Sequence, residues 1–305
     1  MRRILPILSL AGLLFTNPVQ AQSFVDAAKA FDSGDYKTAL EIATPLAENG
    51  DASAITLLGA ANLDGKGVAQ NVPEAVKYFT QAAELGQADA QFALAAIYLD
   101  GRLGKPDMVQ ARKWTEAAAN NGNPTAQFNL GLFFSGAAGD APDWAKAAEW
   151  FTKSADKGLP EAQYSLAVMY AEGRGVPQNV VEAGHLLLKA ASQGHPDACF
   201  DYGVMAFEGT GMQKSEEVGA QWIRLAAEYG FSIAQNRVAH ILANGKGLPI
   251  DPIEAIKWHL LAKKAGRDDA WLDEYTNGVK ADIRTTAQAR AAGFKPRPTP
   301  VASGG

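Results

Sequence analysis

The strongest constraint on this chain is a period of 36 residues. Ala54, Ala90, Ala126, Ala162, Ala198, Ala234 and Ala270 share one register, and Gly50, Gly86, Gly122, Gly158, Gly194, Gly230 and Gly266 share another. A bulky column runs Tyr78, Trp114, Trp150, Leu186, Trp222, Trp258, and a small one runs Gly59, Ala95, Gly131, Ala167, Gly203, Ala239. Four columns held in one register over six periods dictate a repeat architecture. A single supersecondary unit too thin to bury its own apolar side recurs, and it buries that side against its neighbours.

Each period reads as two helices. Ala54, Leu58, Ala61 and Asn62 follow the i, i+4, i+7, i+8 spacing of one helical face. Pro124, Pro160 and Pro196 recur at the start of this first helix, where a missing N–H is harmless. The second helix opens on Asn71, Asp107, Asp143, Asn179, Ser215 and Asp251, all residue types that cap a helix N-terminus. Glu74, Gln110, Glu182 and Glu254 follow three positions later and predict reciprocal capping boxes. The glycine column ends the second helix. Between the helices stands Gly65-Lys66-Gly67-Val68, repeated at Gly173, Gly209 and Gly245. No strand precedes this loop and no Lys-Ser or Lys-Thr follows it, so it reads as a helix stop and tight turn rather than a phosphate cradle. Gly101-Arg102-Leu103-Gly104 and Gly136-Ala137-Ala138-Gly139 depart from the pattern without changing the period.

The expected fold is therefore all-α, a right-handed α/α solenoid of 36-residue helix-turn-helix repeats with a concave inner surface. The predicted layout is a signal peptide over 1–21, a tetratricopeptide-like half unit over 22–51, and six repeats over 52–270. A capping helix over 271–293 and a disordered tail over 294–305 complete it.

Taken together, Ala-x3-Leu-Gly, Gly-x-Gly-Val, Ala-x2-Trp and Ala-Ala-x2-Gly resemble the Sel1-like repeat, a relative of the tetratricopeptide repeat, most closely over 162–194. The resemblance implies adaptor work, in which such proteins hold or sequester other proteins. Exported bacterial members include periplasmic regulators that bind the sensor of a two-component system controlling exopolysaccharide, and this chain is similar to them in leader, repeat count and low cysteine content. The partner so implied is a protein, such as the exported domain of a membrane sensor. Another branch, secreted and cysteine-rich, binds or hydrolyses β-lactam-like compounds, which makes an envelope enzyme or cell-wall ligand binder the alternative. That branch has a disulfide pair in each repeat, whereas this chain has only Cys199.

Charge and composition narrow the classes further. Lys plus Arg number 28 against 33 Asp plus Glu, a net charge of −5, so there is no basic surplus to displace phosphate counterions and no nucleic-acid partner is expected. Arg2 and Arg3, the apolar stretch from Ile4 to Phe15 and the small-x-small triplet Val19-Gln20-Ala21 predict export with cleavage after Ala21. The apolar stretch is too short to span a bilayer, so the mature protein is expected in the periplasm without stable membrane insertion. None of His185, His195, His240 and His259 pairs with another at helical spacing, so no metal site, cofactor or catalytic residue is predicted.

The candidate partner-binding residues lie on the first helices. The fifth position of each period gives Thr56, Phe92, Phe128, Tyr164, Phe200 and Asn236. The four consecutive aromatics either line a groove as anchors or wedge between hairpins. Asp89, Asn129, Glu161, Ser165, Asp197, Asp201 and Arg237 form the rim, whose acidic lean favours a basic partner. Cys199 stands in the column of Gln91, Gln127, Gln163 and Gln235, either as a small buried residue or as a redox group.

Overall fold

The computed structural model describes residues 23–137 and 141–299; the expected signal peptide, residues 1–21, lies outside the described residues. Among the described residues every regular element is helical. The chain divides into two compact units, one ending at Ala111 and one beginning at Arg112. The first contains α1 (Phe24–Asp32), α2 (Tyr36–Glu48), α3 (Ala52–Asp64), α4 (Val72–Glu84) and α5 (Ala88–Asp100), with α6 (Met108–Asn120) crossing the boundary. The second contains α7 (Pro124–Leu132), α8 (Trp144–Asp156), α9 (Pro160–Glu172), α10 (Val180–Ser192), α11 (Pro196–Glu208), α12 (Glu216–Glu228), α13 (Ser232–Asn244) and α14 (Pro252–Lys264). It closes with α15 (Ala270–Gly278) and α16 (Ala281–Ala292). Within each unit the helices pack on their sequence neighbours, which is the all-α solenoid arrangement of stacked hairpins.

The alanine column forms the seam. Ala54, Ala90, Ala126, Ala162, Ala198 and Ala234 are each fully buried, so no larger side chain fits there without moving a helix. The small column sets the approach inside each hairpin: a Cβ on Gly59 would strike the Phe79 ring, and one on Gly131 the Phe151 ring. The second glycine of the loop has a different duty. A Cβ on Gly175 would overlap the Trp144 carbonyl, and one on Gly247 the Glu216 carbonyl, so the loop's backbone lies directly on the second helix of the preceding repeat. Its positive φ, +69° at Gly175 and +79° at Gly247, is the left-handed region open to glycine.

The capping column is seen, but the reciprocal boxes are not. Asn71, Asn179 and Asp251 accept from the amides of Glu74, Glu182 and Glu254 at 3.1, 3.1 and 3.0 Å. The return bond is absent because each cap's own N–H is already committed. It donates to the last turn of the first helix, from Asn71 to Asn62 at 2.8 Å, from Asn179 to Tyr170 at 2.8 Å and from Asp251 to Leu242 at 3.1 Å. Glu74 turns instead to Lys77, and Glu254 to Lys257 and Arg290. The third repeat also departs from pattern. Gly136 reaches the left-handed conformation one residue before the periodic position, and the end of α7 widens into a broader turn over Phe133–Ala137.

A buried polar column completes the lattice. The amides of Gln91, Gln127, Gln163 and Gln235 donate to the carbonyls of Ala83, Ala119, Ala155 and Ala227 at 2.9, 3.0, 3.3 and 3.3 Å. These carbonyls belong to the last turn of the second helix, where backbone acceptors lack intrahelical partners. Cys199 occupies the same slot, its Sγ 3.4 Å from the Ala191 carbonyl. Burial pushes its thiol up to about 12, so it is not a thiolate at neutral pH.

The period stops after Gly266. Asp269 caps the next helix, so α15 starts late and Ala270 is exposed, unlike its six counterparts. Asp269 Oδ1 accepts from Leu272 N at 3.0 Å, while its Oδ2 takes Asn236 Nδ2 at 3.0 Å and His240 Nε2 at 2.8 Å. Burial raises its pKa, but these bonds outweigh that and hold the carboxyl well below its ordinary range. Of the expected tail, residues 294–299 are described, and they make defined contacts. Phe294 packs edge-on against Trp258 at 5.3 Å, and Arg297 N–H donates to the Glu228 carbonyl at 2.8 Å.

Two outcomes follow. The native thiol is expected to resist a thiol reagent and to react fully in guanidinium, and Cys199→Ala should lower unfolding free energy by about 1 kcal/mol in urea titrations. Asp269→Ala should cost about 1–2 kcal/mol at pH 7 through the lost cap and its partners. Because the folded carboxyl is the stronger acid, that contribution is present above the ordinary value of 3.8 and fades as pH falls below it, so wild type and variant should converge in melts taken toward pH 2.

Candidate functional site

The candidate face is carried by the first helices, and each unit shows its own portion. In the first unit α1, α3 and α5 bound an open cavity of about 310 Å³. Phe24, Ala28 and Phe31 form its apolar wall, with Thr56 from the fifth-position column and Asp89 from the predicted rim. The wall is stiffened by the Phe31 ring, which meets Tyr36 edge-on at 5.1 Å and carries Lys66 Nζ above it at 5.3 Å. Phe92 on α5 is half-buried.

In the second unit the column continues as Phe128 on α7, Tyr164 on α9 and Phe200 on α11. All three are half-buried and packed on the apolar core, so they wedge between hairpins and present only part of each ring to solvent. Phe128 lies 5.6 Å from Phe151, and Phe200 meets Phe231 edge-on at 5.5 Å. Tyr164 stacks on His195 with centroids 4.7 Å apart and donates its hydroxyl to Asp201 Oδ2 at 3.2 Å. Asn129 and Glu161 are exposed beside them, and Asp197 is half-buried. Glu161, His195 and Asp197 share the wall of a cavity of about 210 Å³, so two of the predicted rim acids are brought together. A cavity of about 510 Å³ lies along α10, lined by His185, Leu188 and Lys189 with Gln163 of α9, and Gln193 borders both it and the smaller one.

The protonation states of these groups are set by burial and by their neighbours. Burial lowers the basicity of His195, against the pull of Asp197 and Glu161. Its Nδ1 accepts from Ala198 N at 3.3 Å and thereby caps α11, which assigns the proton of the neutral ring to Nε2. Burial raises the Asp201 carboxyl, and burial together with Asp201 keeps the Tyr164 hydroxyl protonated. Among the described residues, no three His, Cys, Asp or Glu side chains converge as metal ligands.

The sequence reading missed how histidines join this face. His195 occupies the cap column of the first helices, next to Tyr164. His240 stacks on Trp271 at 4.9 Å, and Trp271 on Tyr275 at 5.6 Å, extending the aromatic surface to α15. The available signal was the cap column itself: Leu159, His195 and Phe231 bring bulk to a position where Asp51 and Asn123 only cap.

Comparison with known proteins places these features. The Sel1 repeat pattern matches residues 52–87, 88–123, 124–159, 160–195, 196–231 and 232–266. No curated protein sequence matches the chain. Among solved structures, a Sel1 repeat protein from Oxalobacter formigenes is 26% identical with a TM-score of 0.66, over 80% of this chain and 100% of that one. The c5321 protein, a protective antigen of uropathogenic Escherichia coli strains that displays an SLR fold, is 25% identical with a TM-score of 0.55. That likeness covers 89% of this chain and 68% of that one. With six contiguous repeat matches and hairpins that stack as repeats of this kind do, the chain belongs to the Sel1 repeat family.

Proposed function

We propose that this protein is an exported adaptor that captures a partner protein on the face formed by the first helices of its repeats. Sel1 repeats generally serve as protein-interaction modules and are typically non-catalytic scaffolds. The observation that carries the reading is the half-buried column Phe128, Tyr164 and Phe200, flanked by the exposed Asn129 and Glu161. Rings fixed by packing and only partly open to solvent anchor a partner at small entropic cost. Glu161, Asp197 and the half-buried Asp201 make the surroundings acidic, so the partner segment carries basic residues. The exported domain of a membrane sensor is the partner class we favour, and the periplasm the compartment, on the leader-like segment that ends at Ala21. In this reading the protein catalyses no reaction, and its effect on the partner is steric.

The test acts on the rim, since replacing the packed rings would disturb the core. The double variant Asn129→Lys, Glu161→Lys should lower partner capture from envelope extract at least tenfold, while its melting temperature stays within about 2 °C of wild type, as exposed substitutions usually do. Undiminished capture would remove this face from the mechanism. Mature protein recovered from the periplasm should begin at Gln22; an intact leader there would refute export with cleavage.

A further inference from the structure

The six residues beyond Gly293, the C-cap of α16, are unlike the rest of the chain. Phe294-Lys295-Pro296-Arg297-Pro298-Thr299 has no helix, yet it runs back over the second unit in a definite register. Phe294 is anchored on α14 against Trp258, with Lys257 Nζ 5.7 Å above its ring. Pro296 lies on the turn between α12 and α13, 3.4 Å from where a Cβ on Gly230 would stand. Arg297 donates its backbone N–H to the Glu228 carbonyl at 2.8 Å, and its guanidinium sits 3.8 Å from the Glu228 carboxylate and 5.8 Å from the Tyr229 ring. Thr299 reaches the cavity at the next turn, beside Glu161, His195 and Asp197.

The spacing has a physical basis. A polyproline-type strand advances about 3.1 Å per residue, so the three steps from Pro296 to Thr299 cover about 9 Å. Packed helix layers are separated by about 8–10 Å. Pro296 at Gly230 and Thr299 beside Gly194 and His195 accordingly reach two successive turns. Pro296 and Pro298 have no N–H to leave unpaired, and the residue between them offers its own to a turn carbonyl. Glu228, Asp197 and Glu161 make this edge acidic, which selects a cation at the position between the prolines.

We propose that this turn edge of the second unit is a docking surface for extended segments with a cationic residue between two prolines, and that its resting occupant is the chain's own residues 294–299. A partner bearing such a segment gains the edge only by displacing the tail. The surface shares Glu161, His195 and Asp197 with the first-helix face proposed above, but Glu228 and the tail, on which its test acts, are no part of that face.

The experiment uses the full-length chain. In wild type, the Arg297 amide is expected to exchange with deuterium at least tenfold more slowly than an unprotected amide of the same sequence, independent of protein concentration. Unprotected exchange would overturn resting occupancy, and protection lost on dilution would show the tail bound to a second copy, which overturns it equally. The variant Phe294→Ala, Arg297→Glu releases the tail by removing its ring anchor and opposing Glu228 with like charge. The synthetic peptide Phe-Lys-Pro-Arg-Pro-Thr-Pro should bind this variant at least tenfold more tightly than wild type, by fluorescence anisotropy, and adding Glu228→Lys should abolish the gain. Equal binding to both proteins, or none to the released variant with its helical circular dichroism intact, would refute the docking surface.

Discussion

Burial of the alanine seam between neighbouring hairpins is the contact on which the rest of this structure depends. Ala54, Ala90, Ala126, Ala162, Ala198 and Ala234 have no accessible surface, and each is on a helix whose other neighbours are also apolar. Alanine contributes little transfer free energy alone, but its small volume lets the larger side chains beside it, such as Leu94, Leu166 and Val238, reach across the seam and be buried in turn. The same closeness explains why glycine recurs in the loops. At Gly175 and Gly247 backbone lies against backbone of the preceding repeat, with no room for a Cβ.

Close approach creates a second requirement, since buried helix ends expose polar groups that water can no longer reach. The lattice meets it in register. Each cap side chain takes an amide of the second helix, each cap N–H takes a carbonyl of the first, and the glutamine column takes a carbonyl at the end of the second. Cys199 shows how much latitude this allows, for a weak S–H donor serves in a slot that glutamine fills elsewhere. Where the period ends, the groups change but the requirement does not: Asp269 gathers Leu272, Asn236 and His240.

Functional surface is what this scaffold leaves over. Helix pairs use their apolar sides for stacking, so the parts free to vary are the exposed portions of the first helices and the turns that join successive repeats. On the first helices the leftover surface is half an aromatic ring and an acidic rim. On the turns it is the Glu228 carbonyl and a set of acids, along which Pro296, Arg297 and Thr299 lie.

Sequence alone determined the helical hairpin, its cap positions, its stops and its recurrence, because these depend on neighbours within one or two helical turns and on a periodicity that can be counted. Family resemblance was legible for the same reason. The chain could not show that Glu74 and Glu254 would forgo their boxes, since the competing acceptors at Asn62 and Leu242 come within reach only when the hairpin closes. Nor could it show that Tyr164 would stack on His195 and bond Asp201, which are brought together by stacking of successive repeats. Nor do the prolines at 296 and 298 announce that Phe294 and Arg297 have partners on α14 and α12. Composition records what a segment lacks for folding by itself, and only the tertiary structure decides whether a surface elsewhere in the chain supplies it.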